Sequence, residues 1–257
     1  MSDLSVVHEN ANIGQDVKIG PFCYVEEDVH IGKGTILEPN VTIYSGSRIG
    51  ENCHIFPGAV IGGRPQDKSF GGELTTVEVG DRVVIREHCT LHRGTTQNWK
   101  TIIGDDCYFM AYVHIGHDCI ISNNVTIANA SNLGGHVHVG AFANIGGMVP
   151  IHQFSRIGQQ SMIGGGVTIR TDVPPYIKVA RDPASFVGVN TIGLKRKGFS
   201  QEQIEQISDI FRIIFVKHRN KKIAVEYIRE HIADSSFKNE IIEFVLDAKR
   251  GLVKGIH

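Results

Sequence analysis

The chain has 257 residues, 41% of them hydrophobic, with 26 Lys and Arg set against 27 Asp and Glu for a formal net charge of −1. That balance excludes a strongly basic nucleic-acid binder and an acidic disordered chain, and no apolar run reaches the roughly 20 residues that span a bilayer. Met1 to Asn10 has no basic stretch leading into an apolar core, so no secretory signal is expected and the expected location is cytoplasmic.

From Val7 the chain repeats every sixth residue. Val7, Ile13, Ile19, Val25, Ile31, Leu37, Ile43, Ile49, Ile55 and Ile61 follow one another without a miss. The frame resumes at Val79, Ile85 and Leu91, then runs unbroken from Ile103 to Ile169. In all, 25 of its 28 positions are apolar, the exceptions being Asp67, Glu73 and Gln97. The residue four places after each aliphatic one is nearly always small, as at Val17, Cys23, Val29 and Thr35. A helix has no use for this period, because six is not near a multiple of about 3.6. A short extended segment and a corner fit it: the aliphatic residue points inward, the glycine that often follows permits the turn, and the small residue fills the interior. Three units make an 18-residue triangular coil. Coils stacked at the strand spacing of about 4.8 Å build a prism on the order of 40 Å tall.

Cys23, Cys53, Cys89, Cys107 and Cys119 all occupy the small interior position. They read as buried core residues of a reducing compartment, not as disulfides or metal ligands. The two breaks in the frame, near 63–76 and 93–101, are insertions that leave the prism surface. After residues 171–175 the hexads stop. Ser200 with Gln203 forms a capping box, and Ile204, Ile207, Ile210, Phe211 and Ile214 make a stripe of helical spacing. Segments near 222–233 and 237–249 also read as helices. The expected organisation is a prism over residues 1–180, then a linker and a small α-helical domain over 181–257.

Thirteen histidines are present. His8, His30, His54, His218, His231 and His257 are expected on solvated surface. His114, His117, His136, His138 and His152 lie where the frame has no insertion, so residues 18 apart stack in successive coils. Gly135 then falls above His117, Gln153 above Gly135, His136 above Asp118, and His152 above Gly134. Thus His117, Asp118, Gly135, His136, His152 and Gln153 converge on one corner. This set suits acyl transfer. A neutral histidine takes a hydroxyl proton, a carboxylate holds its tautomer, and a glycine amide faces the developing oxyanion. No serine or cysteine is placed as an activated nucleophile, so direct attack by an acceptor hydroxyl or amine is expected, without an acyl-enzyme.

The hexads resemble those of left-handed parallel β-helix proteins over about residues 7–175. His-Ile-Gly-His-Asp-Cys at 114–119, Gly-Gly-His-Val at 134–137, Val-Pro-Ile-His-Gln-Phe at 149–154 and Asp-Val-Pro-Pro-Tyr at 172–176 resemble the motifs of acyl-carrier-protein-dependent UDP-N-acetylglucosamine O-acyltransferases. Phe-Val-Gly-Val-Asn at 186–190 and Gly-Leu-Lys-Arg-Lys-Gly-Phe at 193–199 extend the resemblance over essentially the whole chain. It implies a mainly β fold, a left-handed parallel β-helix followed by a small C-terminal α-helical domain. The implied activity moves a 3-hydroxyacyl chain from acyl carrier protein to position 3 of the sugar nucleotide, the first step of lipid A biosynthesis. No cofactor, metal, nucleic acid or membrane insertion is implied. The implied assembly is a homotrimer with active sites between subunits.

By the same resemblance, His117 is the general base, Asp118 its partner, and the Gly135 amide faces the oxyanion. Asp67, His114, His136, His152, Gln153, Asn190 and Arg196 bind substrate, and Gly165 is the acyl-chain ruler, open to a long chain. Lys217, Arg219, Lys221 and Lys222 suit docking of the acidic carrier protein. Ser69 stands where the family's usual lysine would be, and Ile192 where its usual glutamate would be. The acceptor is therefore open between the hydroxyl sugar and its 3-amino analogue. Other readings of the prism are a zinc-dependent carbonic anhydrase using His114, His117 and His152, a non-catalytic scaffold, and an acetyl-coenzyme A-dependent sugar acetyltransferase.

Overall fold

The protein is described from a computed structural model that covers residues 4–218 and 220–255. Short strands of two to five residues stack into three sheets of eight, eight and ten strands, the walls of a triangular prism. In the upper half Tyr108 pairs with Thr126, Thr126 with Asn144 and Asn144 with Met162, a constant step of one coil. The insertions lengthen two coils and the stack continues past them, with a register shift between Ile61 and Gly63 at the first. Val60 pairs with Thr90 across the first, and Thr90 with His114 across the second.

The frame positions fill the interior. Ile115, Ile127 and Leu133 are fully buried, as are the small residues Cys119, Val125, Val137 and Ala143 between them. Each large aliphatic contributes roughly 1.5–3 kcal/mol by leaving water. All five cysteines are buried free thiols inside this column.

The glycines work differently from the expectation above. The left-handed corner residue comes three places after the aliphatic one, as at Asp16, Phe22 and Asp118, each with φ near +60°. The glycine beside the aliphatic residue is needed because the next coil lies against it. A Cβ on Gly14 would sit 2.8 Å from the Lys33 amide nitrogen and 2.9 Å from the Ile31 carbonyl oxygen. Close stacking, not turn geometry, demands glycine there.

Beyond the prism, Ile177–Ala180 joins the third sheet and Ser185–Val189 pairs with it antiparallel. Helix α1 (Thr191–Arg196) is capped by the Asn190 side chain, which accepts from the Gly193 amide. Helix α2 (Gln201–Arg212) opens with the Ser200–Gln203 capping box and buries Ile204, Ile207, Ile210 and Phe211 before a π-helical turn at Ile213–Lys217. Helices α3 (Lys221–His231) and α4 (Ser236–Leu246) are shorter than the segments read from the sequence, because Ile232 turns extended and Ser235 caps a new start. Helix α4 is tied to the prism by Arg156 on Asp247 at 2.6 Å and Gln159 on Glu240 at 2.6 Å. The chain then returns, pairing Leu252 with Asp172 and Lys254 with Ser185. No helix among the described residues is long and apolar enough to cross a membrane.

Candidate active site

One corner of the prism carries Asp118, His136 and Phe154 in successive coils, all left-handed, with φ of 59°, 61° and 65°. This backbone turns each preceding residue, His117, Gly135 and Gln153, onto the same edge. The stack is direct: the His136 amide donates to the His117 carbonyl at 2.9 Å, and Phe154 to Gly135 at 3.0 Å.

His117 Nδ1 lies 2.7 Å from Asp118 Oδ2, and Asp118 is wholly buried. Asp118 also accepts from Thr95, whose amide donates to Oδ1 and whose hydroxyl donates to Oδ2, both at 2.8 Å. Burial works against the Asp118 charge, but the bonds from His117 and Thr95 outweigh it and hold the carboxyl below its usual range. An anionic Asp118 keeps the His117 proton on Nδ1, which leaves the Nε2 lone pair free. That nitrogen faces Gly135, where a Cβ would lie 2.5 Å from Nε2 and 2.4 Å from Cε1. The Gly135 amide has no hydrogen-bond partner among the described residues.

The neighbouring imidazoles are held neutral. His136 stacks on Phe154 with centroids 4.4 Å apart and meets His117 edge-on at 5.0 Å. Burial lowers its pKa, opposed by Asp118. His114 shares a proton with Thr90 Oγ1 at 2.8 Å, and burial, then His117, lower its pKa. A cavity of about 390 Å³ opens here, lined by Gln66, His92, His114, His117, Gly135 and Gln153 among others.

The remaining sequence candidates are placed less closely. His152 is exposed, its Nδ1 3.1 Å from the Gln153 carbonyl. Asp67 lies in the first insertion, half-buried, with Ser69 donating both amide and hydroxyl to Oδ1 at 2.8 Å. Those two bonds lower its pKa, with smaller contributions from His117 and His136. Asn190 is buried at the start of α1, its Nδ2 donating to the Gln160 carbonyl, while Arg196 is exposed on the last turn of α1. Neither lines the cavity within one chain. Gly165 stacks over Gly147 two coils above this level. Of the other histidines, His8, His30 and His231 are exposed, His54 pairs with Glu38 at 2.8 Å, and His218 packs on Tyr227. Arg219 and His257 lie outside the described residues.

The metal set considered from sequence, His114, His117 and His152, is not assembled. Among the described residues the side chains within metal-ligand reach of one another are His117, Asp118 and His136. Both oxygens of that carboxylate already accept hydrogen bonds. Gln66, His92 and Thr95 were not singled out from sequence. Gln66 and Thr95 belong to the insertions and His92 ends the strand just before the second, so the constant step fails at all three; aligning Leu91 with Ile115 would have placed His92 and Thr95 at this corner.

A family profile described as Udp N-acetylglucosamine O-acyltransferase, Domain 2, matches residues 172–253. One for bacterial transferase hexapeptide repeats matches residues 10–45, 30–63 and 100–135. The chain is similar to the acyl-[acyl-carrier-protein]–UDP-N-acetylglucosamine O-acyltransferase of Sulfurihydrogenibium sp., at 50% identity over 96% of this chain and 92% of the relative. The Chlorobaculum parvum protein of the same name is 49% identical over 96% of this chain and 94% of its own. Among solved structures, the UDP-N-acetylglucosamine acyltransferase of Bacteroides fragilis superimposes with a TM-score of 0.97 at 39% identity, covering 99% of this chain and 100% of that one.

Proposed function

The chain belongs to the acyl-carrier-protein-dependent UDP-N-acetylglucosamine O-acyltransferases, and on that premise we propose that His117 is the general base of its acyl transfer. The fold is accordingly a mainly β, left-handed parallel β-helix with a small helical C-terminal part. The reaction acylates position 3 of UDP-N-acetylglucosamine from acyl carrier protein, the first step of lipid A synthesis.

The observation that carries the mechanism is the His117–Asp118 pair at 2.7 Å with Gly135 open in front of Nε2. The sugar hydroxyl gives its proton to His117 Nε2 as its oxygen attacks the thioester carbonyl. Asp118 stabilises the imidazolium, and the Gly135 amide donates to the oxyanion. The carbon–sulfur bond then breaks, and His117 returns the proton to the departing thiolate. The oxygen acceptor follows from the relatives' names, and the 3-amino alternative is not favoured despite Ser69 and Ile192.

His114, His136, His152, Gln153 and Asp67 surround the acceptor sugar in this reading, and Gly165 bounds the acyl chain. Asn190 and Arg196 stand away from the cavity of their own chain, so they hold nucleotide at a cleft completed by a neighbouring copy in a homotrimer. Exposed Phe22, Tyr112 and Met148, on one corner beside the third sheet, supply apolar surface for that assembly. Lys217, Lys221 and Lys222 offer positive charge to the carrier protein.

The test is acyl transfer followed by mass spectrometry, with 3-hydroxyacyl carrier proteins of several lengths and each acceptor sugar offered separately. Wild type yields the ester, and His117→Ala loses about two to four decades. Unchanged turnover in a folded His117→Ala variant would remove the general-base role.

A further inference from the structure

His92 is 8% exposed and stands one coil below Gly116, since Leu91 pairs with Ile115. Its ring meets the His114 ring edge-on with centroids 4.8 Å apart. Burial, then His114 and His117, push its pKa down to about 4, so the imidazole is neutral. A neutral imidazole has one N–H and one lone pair. Nδ1 is buried with no hydrogen-bond partner among the described residues. A proton there would be a desolvated donor with nothing to bind, and buried N–H groups are left orphaned more rarely than acceptors are. The proton therefore sits on Nε2.

That edge of the ring faces space that Gly63 leaves open. A Cβ on Gly63 would fall 3.0 Å from His92 Cδ2 and 3.2 Å from Nε2. The same ring lines the cavity beside His114 and His117. A neutral donor in a dry wall suits an uncharged carbonyl oxygen better than a phosphate. In the acceptor sugar the acetamido group occupies the carbon next to the reacting hydroxyl, and its carbonyl is the strongest uncharged acceptor there.

We propose that His92 Nε2–H binds the acetamido carbonyl of the acceptor sugar and thereby selects 2-acetamido sugars over their 2-hydroxy counterparts. This rests on the acyl transfer to UDP-N-acetylglucosamine described above. His92 takes no part in the proton transfer; it positions the sugar and sets specificity.

The experiment compares kcat/KM for UDP-N-acetylglucosamine and UDP-glucose in wild type, His92→Gln and His92→Leu. His92→Leu loses about tenfold or more on the acetamido sugar and little on UDP-glucose, so the preference contracts. His92→Gln keeps a donor nitrogen near the Nε2 position and retains part of the preference, and the pH–rate profile is the same in all three. An undiminished preference in a His92→Leu variant with the wild-type melting temperature overturns the proposal.

Imidazole ¹⁵N spectra decide separately from turnover. A His92 ring protonated at Nδ1, or no change in its signal on adding UDP-N-acetylglucosamine, also overturns the assignment. If wild type acylated neither sugar, the proposed reaction would fall, and the spectra would still settle the tautomer and the sugar contact. If His92→Leu failed to fold, His92→Gln and the spectra would decide.

Discussion

Thr95 grips Asp118 with two hydrogen bonds, amide to Oδ1 and hydroxyl to Oδ2, both at 2.8 Å and both out of reach of solvent. The second insertion thus leaves the prism only to fold back on the carboxylate that orients His117. A loop that breaks the repeat supplies support that the repeat cannot.

Thr95→Val removes the hydroxyl donor and keeps the shape. A hydrogen bond to a charged group contributes about 1.5–3 kcal/mol, so kcat falls about tenfold or more with a lower melting temperature. Thr95→Ser restores most of both. Steady-state kinetics with parallel thermal melts check this, and unchanged kcat in the valine variant would show that Asp118 does not depend on Thr95.

Gly135→Ala puts a methyl group within 2.4–2.5 Å of the His117 ring. The ring has to move, and misplacement of a catalytic group by about 1 Å costs about a hundredfold. We expect that loss in kcat with circular dichroism unchanged. Wild-type turnover would mean the ring is free to swing aside without consequence.

A Cβ on Gly165 would meet, among the described residues, the Gly147 carbonyl oxygen at 3.2 Å, a tight contact, and its amide nitrogen at 3.7 Å, an ordinary one. Gly165→Met asks the Gly147 backbone to yield a few tenths of an ångström, which a parallel thermal melt reads, and projects its side chain from the surface where the acyl chain is placed. The preferred donor becomes shorter, read as product yield against carrier-bound chain length. An unshifted profile would put the end of the acyl chain elsewhere.

Burial raises all five thiols: Cys53, Cys89 and Cys107 to about 11, Cys119 to about 12, and Cys23 by a smaller step. Thiolate is the reactive form, so the native protein resists a disulfide reagent at pH 8 and releases all five equivalents only on unfolding. Fast labelling of the native protein would contradict this packing.

The His92 pKa of about 4 predicts an acid-labile fold. Its folded value lies below the unfolded value of about 6.5, so the folded state binds fewer protons. The stabilisation is complete above about pH 6.5 and is lost as pH falls toward 4. It amounts to as much as about 3 kcal/mol, at about 1.4 kcal/mol for each pKa unit. His92→Gln removes this contribution, so its denaturant midpoint varies less with pH across that window. Parallel wild-type and variant curves would contradict a buried neutral His92.

How much was legible varies with position in the chain. From Ile103 to Ile169 the period is unbroken, so counting by coils places Gly135 over His117 and His136 over Asp118, as the hydrogen bonds between those coils do. The Ser200 capping box and the α2 stripe are local signals and were readable for the same reason. His92 and Thr95 were not, because an insertion shifts their step and a periodic count passes over them. Asn190 carried a binding reading, while its side chain caps α1 and bonds Gln160, contacts that depend on where the chain goes after the prism ends.

The sequence by itself determined the prism, its core and the composition of one corner, because a repeat that buries the same position in every coil has one way to satisfy all its aliphatic residues. Only the tertiary structure decided that the corner residues take the left-handed turn, while of the glycines beside the frame aliphatics Gly62 alone does so among the described residues, and that Asp118 is held by Thr95. It also decided that His92 is closed off at Nδ1 and open at Nε2. These outcomes follow from contacts between segments of unrelated spacing, where burial and the need to satisfy every buried polar atom select one arrangement.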